Sequence, residues 1–215
     1  MLEHILIIDD HPIVLDGLHL LLESIRSNAQ FTTVVNGADA LETVVNDSSI
    51  SCVFVDLNLP DYQGLDLVPL IKQHNSNVNI VVLSSELSAP IIHQALSLGV
   101  NGVLCKTFSK DIFEMCLVSI DLGKVFLTAE HANDLRYYRE SLSQVHIDLV
   151  KHLSSRQLEA LELMSKGYSN KLISEHMSIA ESTVKKHVTS LMEVFNAQNR
   201  THCVSVAREL NIIKN

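Results

Sequence analysis

Five short apolar runs, largely β-branched, recur along the first 125 positions, each followed by a longer stretch with helical spacing. The runs are His4–Ile8, Phe31–Val35, Cys52–Val55, Ile80–Leu83 and Gly102–Leu104. Between them lie sets such as Ile13, Leu15, Leu18, Leu21, Leu22 and Ile25, or Ile91, Ile92, Ala95 and Leu98. This alternation predicts an α/β doubly wound parallel sheet of five strands, closed by a fifth helix over about Lys110–Leu122. The runs ILII, VFV and IVVL are apolar throughout, as strands buried on both faces are. In such sheets ligands bind outside the carboxyl ends of the strands, near the switch point in strand order.

A chain of 215 residues that is 47% hydrophobic, with seven Gly and four Pro, is globular rather than disordered. No apolar run approaches the ~18–20 residues of a membrane span. MLEHILIIDDHP turns acidic after four apolar residues and lacks the basic region of a signal peptide. Cys52, Cys105, Cys116 and Cys203 are scattered with no CxxC pair. A soluble, reduced, cytoplasmic protein is expected, with no membrane contact and no zinc ribbon. The net charge of −9 is uneven: residues 1–125 carry 15 acids and 5 bases, whereas 151–215 carry 6 acids and 9 bases. Such a basic tail suits a polyanion.

Residues 126–147 lose the strand–helix alternation and read as a linker, although Leu135, Tyr138 and Leu142 could support a short helix. Residues 148–215 read as a small all-α unit of four helices. Their patterns cover Leu153–Lys166, Asn170–Met177, Glu181–Phe195 and Thr201–Leu210, separated by GYS, SIAES and NAQNR.

The strand ends carry the chemistry. Asp9 and Asp10 follow the first strand, Asp56 the third, Ser84 the fourth and Lys106 the fifth. Three converging carboxylates repel and call for a cation. Mg²⁺, which takes hard oxygen ligands and also binds phosphoryl oxygens, suits them. A carboxylate can attack phosphorus to give an acyl phosphate, while lysine and serine donate to its oxygens. A single strand-end acid is often a solvated cap. Five such groups at the ends of four strands are not explained that way.

DDHPIVLDGL, VDLNLPDYQG, VLSSE and NGVLCKT resemble the receiver domain of two-component response regulators, a flavodoxin-like fold, across residues 1–125. The resemblance implies that Asp56 is the phosphoacceptor, served by a sensor histidine kinase. It implies that Asp9, Asp10, Asp56 and the Asn58 backbone carbonyl hold Mg²⁺. Ser84 would be the hydroxyl switch, Lys106 the phosphoryl-binding lysine, and Asn58 and Glu86 would tune dephosphorylation. Pro60 and Gly64 match the family's LPxxxG loop. One departure matters: Val103 stands where the family usually has an aromatic switch residue.

Residues 153–204 resemble the helix-turn-helix of LuxR-type (NarL/FixJ-like) regulators, with the motif TVKKH at 183–187. Val184, Val188, Leu191 and Phe195 form a core-facing stripe, and Lys185 and Thr189 share another face with Lys186 nearby. Such a helix suits the major groove of double-stranded DNA. The expected contacts are Thr183, Lys185, Lys186, His187 and Thr189 on this helix, with Asn170 and Lys171 on phosphate at the start of the preceding one. Ala180 replaces the usual Ser cap, Ser178 the usual turn Gly, Gln157 the usual Glu and Val194 a usual base.

Together these resemblances imply a phosphorylation-regulated transcriptional regulator, homodimeric on paired half-sites, with no catalysis beyond its own phosphorylation and dephosphorylation. One alternative is a LuxR-type regulator with an atypical receiver and no need of phosphate, which Val103 leaves open. Another is a Mg²⁺-dependent phosphatase with an Asp nucleophile. Those enzymes place a second acid two residues on, where this chain has Asn58.

Overall fold

The computed structural model describes residues 3–213, and the chain divides between Arg136 and Tyr137 into two compact units. The first holds β1 (His4–Ile8), α1 (Pro12–Ile25), β2 (Gln30–Val34), α2 (Gly37–Asn46) and β3 (Cys52–Asp56). It continues with α3 (Gly64–His74), β4 (Asn79–Ser84), α4 (Ala89–Ser97), β5 (Gly102–Cys105) and α5 (Lys110–Asp121). The strands form one parallel sheet in the order β2-β1-β3-β4-β5, with Ile8 opposite both Val34 and Val55. The order reverses between β1 and β3, and this is where a ligand crevice opens in a doubly wound sheet.

Side chains alternate strictly between two cores, as the pleat requires. Leu6, Ile8, Val53, Val55, Ile80, Val82 and Val103 face a cluster with α2, α3 and α4. Ile5, Ile7, Phe54, Val81, Leu83 and Leu104 face one with α1 and α5. The β5 edge is not bare. Phe126 bridges to Gly102, and the Val103 N–H donates to the Phe126 carbonyl at 3.4 Å. A backbone segment there caps the unpaired groups of an edge strand.

The segment expected to be a linker, where Leu135, Tyr138 and Leu142 suggested a short helix, is mostly helix. Residues from Ala129 to His152 form α6, a single run of 24 residues. Its apolar side chains serve two different cores: Leu135 is buried in the first unit, while Leu142 and Leu149 pack in the second. The second unit continues with α7 (Ser155–Ser165), α8 (Asn170–Met177), α9 (Glu181–Val194) and α10 (Arg200–Glu209), close to the expected ranges. Ala160, Leu161, Ile173, Val184, Leu191, Cys203 and Ala207 form its core.

Candidate functional site

Parallel register carries the ends of β1, β3, β4 and β5 to one edge of the sheet. There the Lys106 Nζ lies 2.6 Å from Asp9 Oδ2 and 2.9 Å from Asp56 Oδ2. Both carboxylates are buried, and Lys106 is largely so. Burial pushes the Asp56 carboxyl above its usual value; its bonds to Lys106 pull it back, and the Asp9 charge adds to the rise. Burial alone would lower the Lys106 ammonium, yet its bonds to Asp9 and Asp56 hold it above its usual value. His11 completes the cluster, its Nδ1 2.7 Å from Asp10 Oδ1 and its backbone N–H bonded to Asp9 Oδ1 at 3.0 Å. Asp9, Asp10, His11 and Asp56 each offer a ligand atom, all within 4.8 Å of one another. Three carboxylates make a hard-oxygen donor set that fits a divalent cation.

The loop after Asp56 is pinned tightly. Gly64 donates to the Leu57 carbonyl at 2.7 Å and Leu59 to that of Tyr62. These bonds bracket the Asn58–Gln63 bridge and leave the Asn58 carbonyl out of the pairing. A Cβ on Gly64 would stand 2.0 Å from the Asp56 carbonyl oxygen, so only glycine fits. Asp61 ties this loop to α2 by accepting from the Gly37 and Ala38 N–H groups at 2.8 and 2.9 Å. Across the site the buried Ser84 hydroxyl donates to the Glu86 carbonyl at 2.6 Å and accepts from the Glu86 N–H. Asn58 and Glu86 are exposed at the mouth.

In the second unit, α8 and α9 flank a turn in which Ser178 takes left-handed angles, φ 53° and ψ 45°. Ala180 makes no side-chain cap for α9, as its missing hydroxyl requires. Along α9, Glu181, Ser182, Lys185, Lys186 and Thr189 are exposed, whereas Thr183 and His187 are half-buried. Lys185 lies 3.3 Å from Glu181, one turn earlier on the same face. Gln157 does more than replace Glu. Its side chain completes a capping box with Ser154, and its amide donates to Ser190 of α9 at 3.0 Å. Asn170 accepts from Arg200 at 2.9 Å, while Lys171 is exposed at the start of α8.

Residues 5–116 match the response regulator receiver domain, and residues 151–207 the bacterial regulatory proteins of the luxR family. The chain belongs to the LuxR-type response regulators. The response regulator protein VraR of Staphylococcus saprophyticus is 29% identical over 98% of this chain and 98% of its own. The glycerol metabolism activator of Pseudomonas putida is 26% identical over 96% of each. Among solved structures, response regulator ChrA of a heme-sensing two-component system covers 99% of this chain at 24% identity, with a TM-score of 0.51. A complex of RcsB with DNA covers 99% at 22%, with a TM-score of 0.56. This response regulator is therefore a two-component transcriptional regulator that binds DNA, and the phosphatase alternative has no support in either family match.

In the regulator's receiver, the structure brings Asp9, Asp10, Asp56, Ser84 and Lys106 to one place. Three features went unread in the sequence. His11 joins the acidic group, for which the triplet DDH was the available signal. Glu181 and Ser182 share the exposed face of α9, which helical angles give once the core stripe is fixed. The Arg200–Asn170 bond joins residues 30 apart and had no local signal.

Proposed function

We propose that Asp56 accepts a phosphoryl group from the phosphohistidine of a sensor kinase and that the modified protein binds DNA as a homodimer. The observation that carries this is the buried lysine bridge between Asp9 and Asp56 at the switch point of the sheet. An Asp56 carboxylate oxygen attacks phosphorus, the P–N bond breaks, and the imidazole of the kinase leaves with its electron pair. Lys106 gives up its carboxylate contacts to neutralise the phosphoryl oxygens. Ser84 turns its hydroxyl from the Glu86 carbonyl to donate to one of them. Asp9, Asp10, Asp56 and the Asn58 carbonyl would hold Mg²⁺, which supplies charge stabilisation to the phosphoryl oxygens when bound. Hydrolysis returns Asp56 to the carboxylate, with Asn58 and Glu86 beside the path of the attacking water. The protein catalyses nothing else.

In the second unit, α9 enters the major groove with Lys185, Lys186 and Thr189 toward base edges. Thr183 and His187 support it from the flank, and Asn170 and Lys171 meet phosphate. For the homodimer, α1 and α5, which pack together, leave Ile13 and Leu20 on the one, and Met115, Val118 and the following Leu122 on the other, exposed. Exposed apolar side chains on neighbouring helices are what a partner copy would cover. Among the described residues no helix is long and apolar enough to cross a membrane, and we place the protein in the cytoplasm. The test is labelling by acetyl phosphate in the presence of Mg²⁺. The wild type should take up one phosphoryl group and Asp56→Asn none; equal labelling of both would overturn the assignment.

A further inference from the structure

The Val103 position raises a question of transmission. Its side chain is wholly buried in the β-sheet core and carries no ring to turn. The hydroxyl–aromatic route out of the site is therefore missing. Another ring stands close by. Phe108, two residues beyond Lys106, packs against His131 in the first turn of α6, with centroids 5.7 Å apart and planes at 41°. The Phe108 N–H is bonded to the Cys105 carbonyl at 3.1 Å, and the Lys106 N–H to that of Ser84 at 2.8 Å. The strip from site lysine to ring is thus short and anchored.

The start of α6 is held by the same strand. The Phe126 N–H donates to Asn101 and its carbonyl accepts from Val103 on β5. Thr128 then caps the helix, accepting from the His131 N–H at its hydroxyl and from the Ala132 N–H at its carbonyl. Within this packing the Nδ1 of His131 is buried with no hydrogen-bond partner. A buried polar atom left unpaired costs free energy and calls for an explanation. An arrangement that gave it a partner would compete with the one observed, and two such arrangements are what a two-state element needs.

We propose that Phe108 and His131 are the contact through which phosphorylation at Asp56 repositions the first turn of α6. This rests on the phosphoacceptor reading above. When Lys106 leaves Asp9 and Asp56 for the phosphoryl oxygens, the strip 106–108 shifts and Phe108 moves against the imidazole. His131 then re-seats, and with it the helix that leads into the DNA-binding unit. Both residues position α6; neither touches the phosphoryl group.

The experiment uses full-length protein phosphorylated with acetyl phosphate and Mg²⁺, and reads the His131 ring by NMR, its resonance assigned by its loss in His131→Ala. The ring resonance should move on phosphorylation of the wild type and stay still in Asp56→Asn. With a duplex selected by the wild type from random DNA, phosphorylation should raise affinity within the usual coupling range of about 5–150-fold. His131→Ala and Phe108→Leu should label normally but lose most of that gain, while Phe108→Tyr, which keeps the ring, should retain it. Wild-type protein that does not label would refute the phosphoacceptor reading itself. Labelled wild type with an unmoved His131 ring, or variants that keep the full gain, would overturn this proposal alone.

Discussion

Replacing Lys106 by Met removes the ammonium group that lies within 3 Å of two buried carboxylates. Breaking a buried ion pair from one side costs roughly 3–5 kcal/mol, because the other partner keeps its burial and loses its compensation. Two effects trim that figure here. Lys106 is 15% exposed, so water reaches the vacated space. Asp56, its carboxyl already pushed upward by burial, can take up a proton instead of holding charge. A loss of about 3 kcal/mol is therefore expected in metal-free buffer at neutral pH. A saturating divalent cation should restore more stability to the variant than to the wild type, since Lys106 no longer competes for the same oxygens. Hydrogen exchange of the β1 and β3 amides against urea, with EDTA or with Mg²⁺, reads this unit without interference from the second. A loss below about 1 kcal/mol, or an equal Mg²⁺ gain in both proteins, would refute the reasoning.

Gly64→Ala should cost about 1–3 kcal/mol and slow phosphoryl uptake, because its Cβ would sit 2.0 Å from the Asp56 carbonyl oxygen; urea unfolding and acetyl-phosphate labelling check it. In the α8–α9 turn, Ser178→Gly should stabilise by about 1 kcal/mol by relieving the left-handed angles, and Ala180→Ser by a similar amount by adding a cap. Both are read by thermal unfolding of the second unit, and a destabilised Ser178→Gly would mean that the turn is set by something other than backbone strain. Lys171→Ala should weaken specific and random duplex alike and lower the salt slope by about one unit. Lys185→Ala should cost about 1–3 kcal/mol mainly at the specific site; titrations at several salt concentrations separate the two.

The positions of β1, β3 and β4 were legible because these strands are buried on both faces and so are almost wholly apolar, whereas β2, at the sheet edge, is only partly buried and carries Gln30, Thr32 and Thr33. Only the polar residue that stops each run, such as Asp56 or Ser84, interrupts the pattern. The acidic site was legible for the same reason, since a parallel sheet carries every strand end to one edge. What failed was α6. Its apolar residues answer to two separate cores, Leu135 to one and Leu142 and Leu149 to the other, so the pattern marks a short helix and not one of 24 residues. On α9 the core stripe of Val184, Val188, Leu191 and Phe195 was legible from spacing alone. Thr183 and His187 are half-buried there, while Glu181 and Ser182 share the exposed face with Lys185, as i and i+3 or i+4 neighbours on a helix do. The Phe108–His131 contact joins residues 23 apart through packing alone, which no local pattern encodes.

The proposed control of DNA affinity rests on phosphorylation of one aspartate, Asp56. The most direct measurement is binding to a duplex selected from random DNA, before and after treatment with acetyl phosphate and Mg²⁺, for the wild type and Asp56→Asn. Treatment should tighten binding by the wild type and leave Asp56→Asn at its untreated affinity. Equal affinity of the treated and untreated wild type would contradict the account, as would an equal gain in Asp56→Asn.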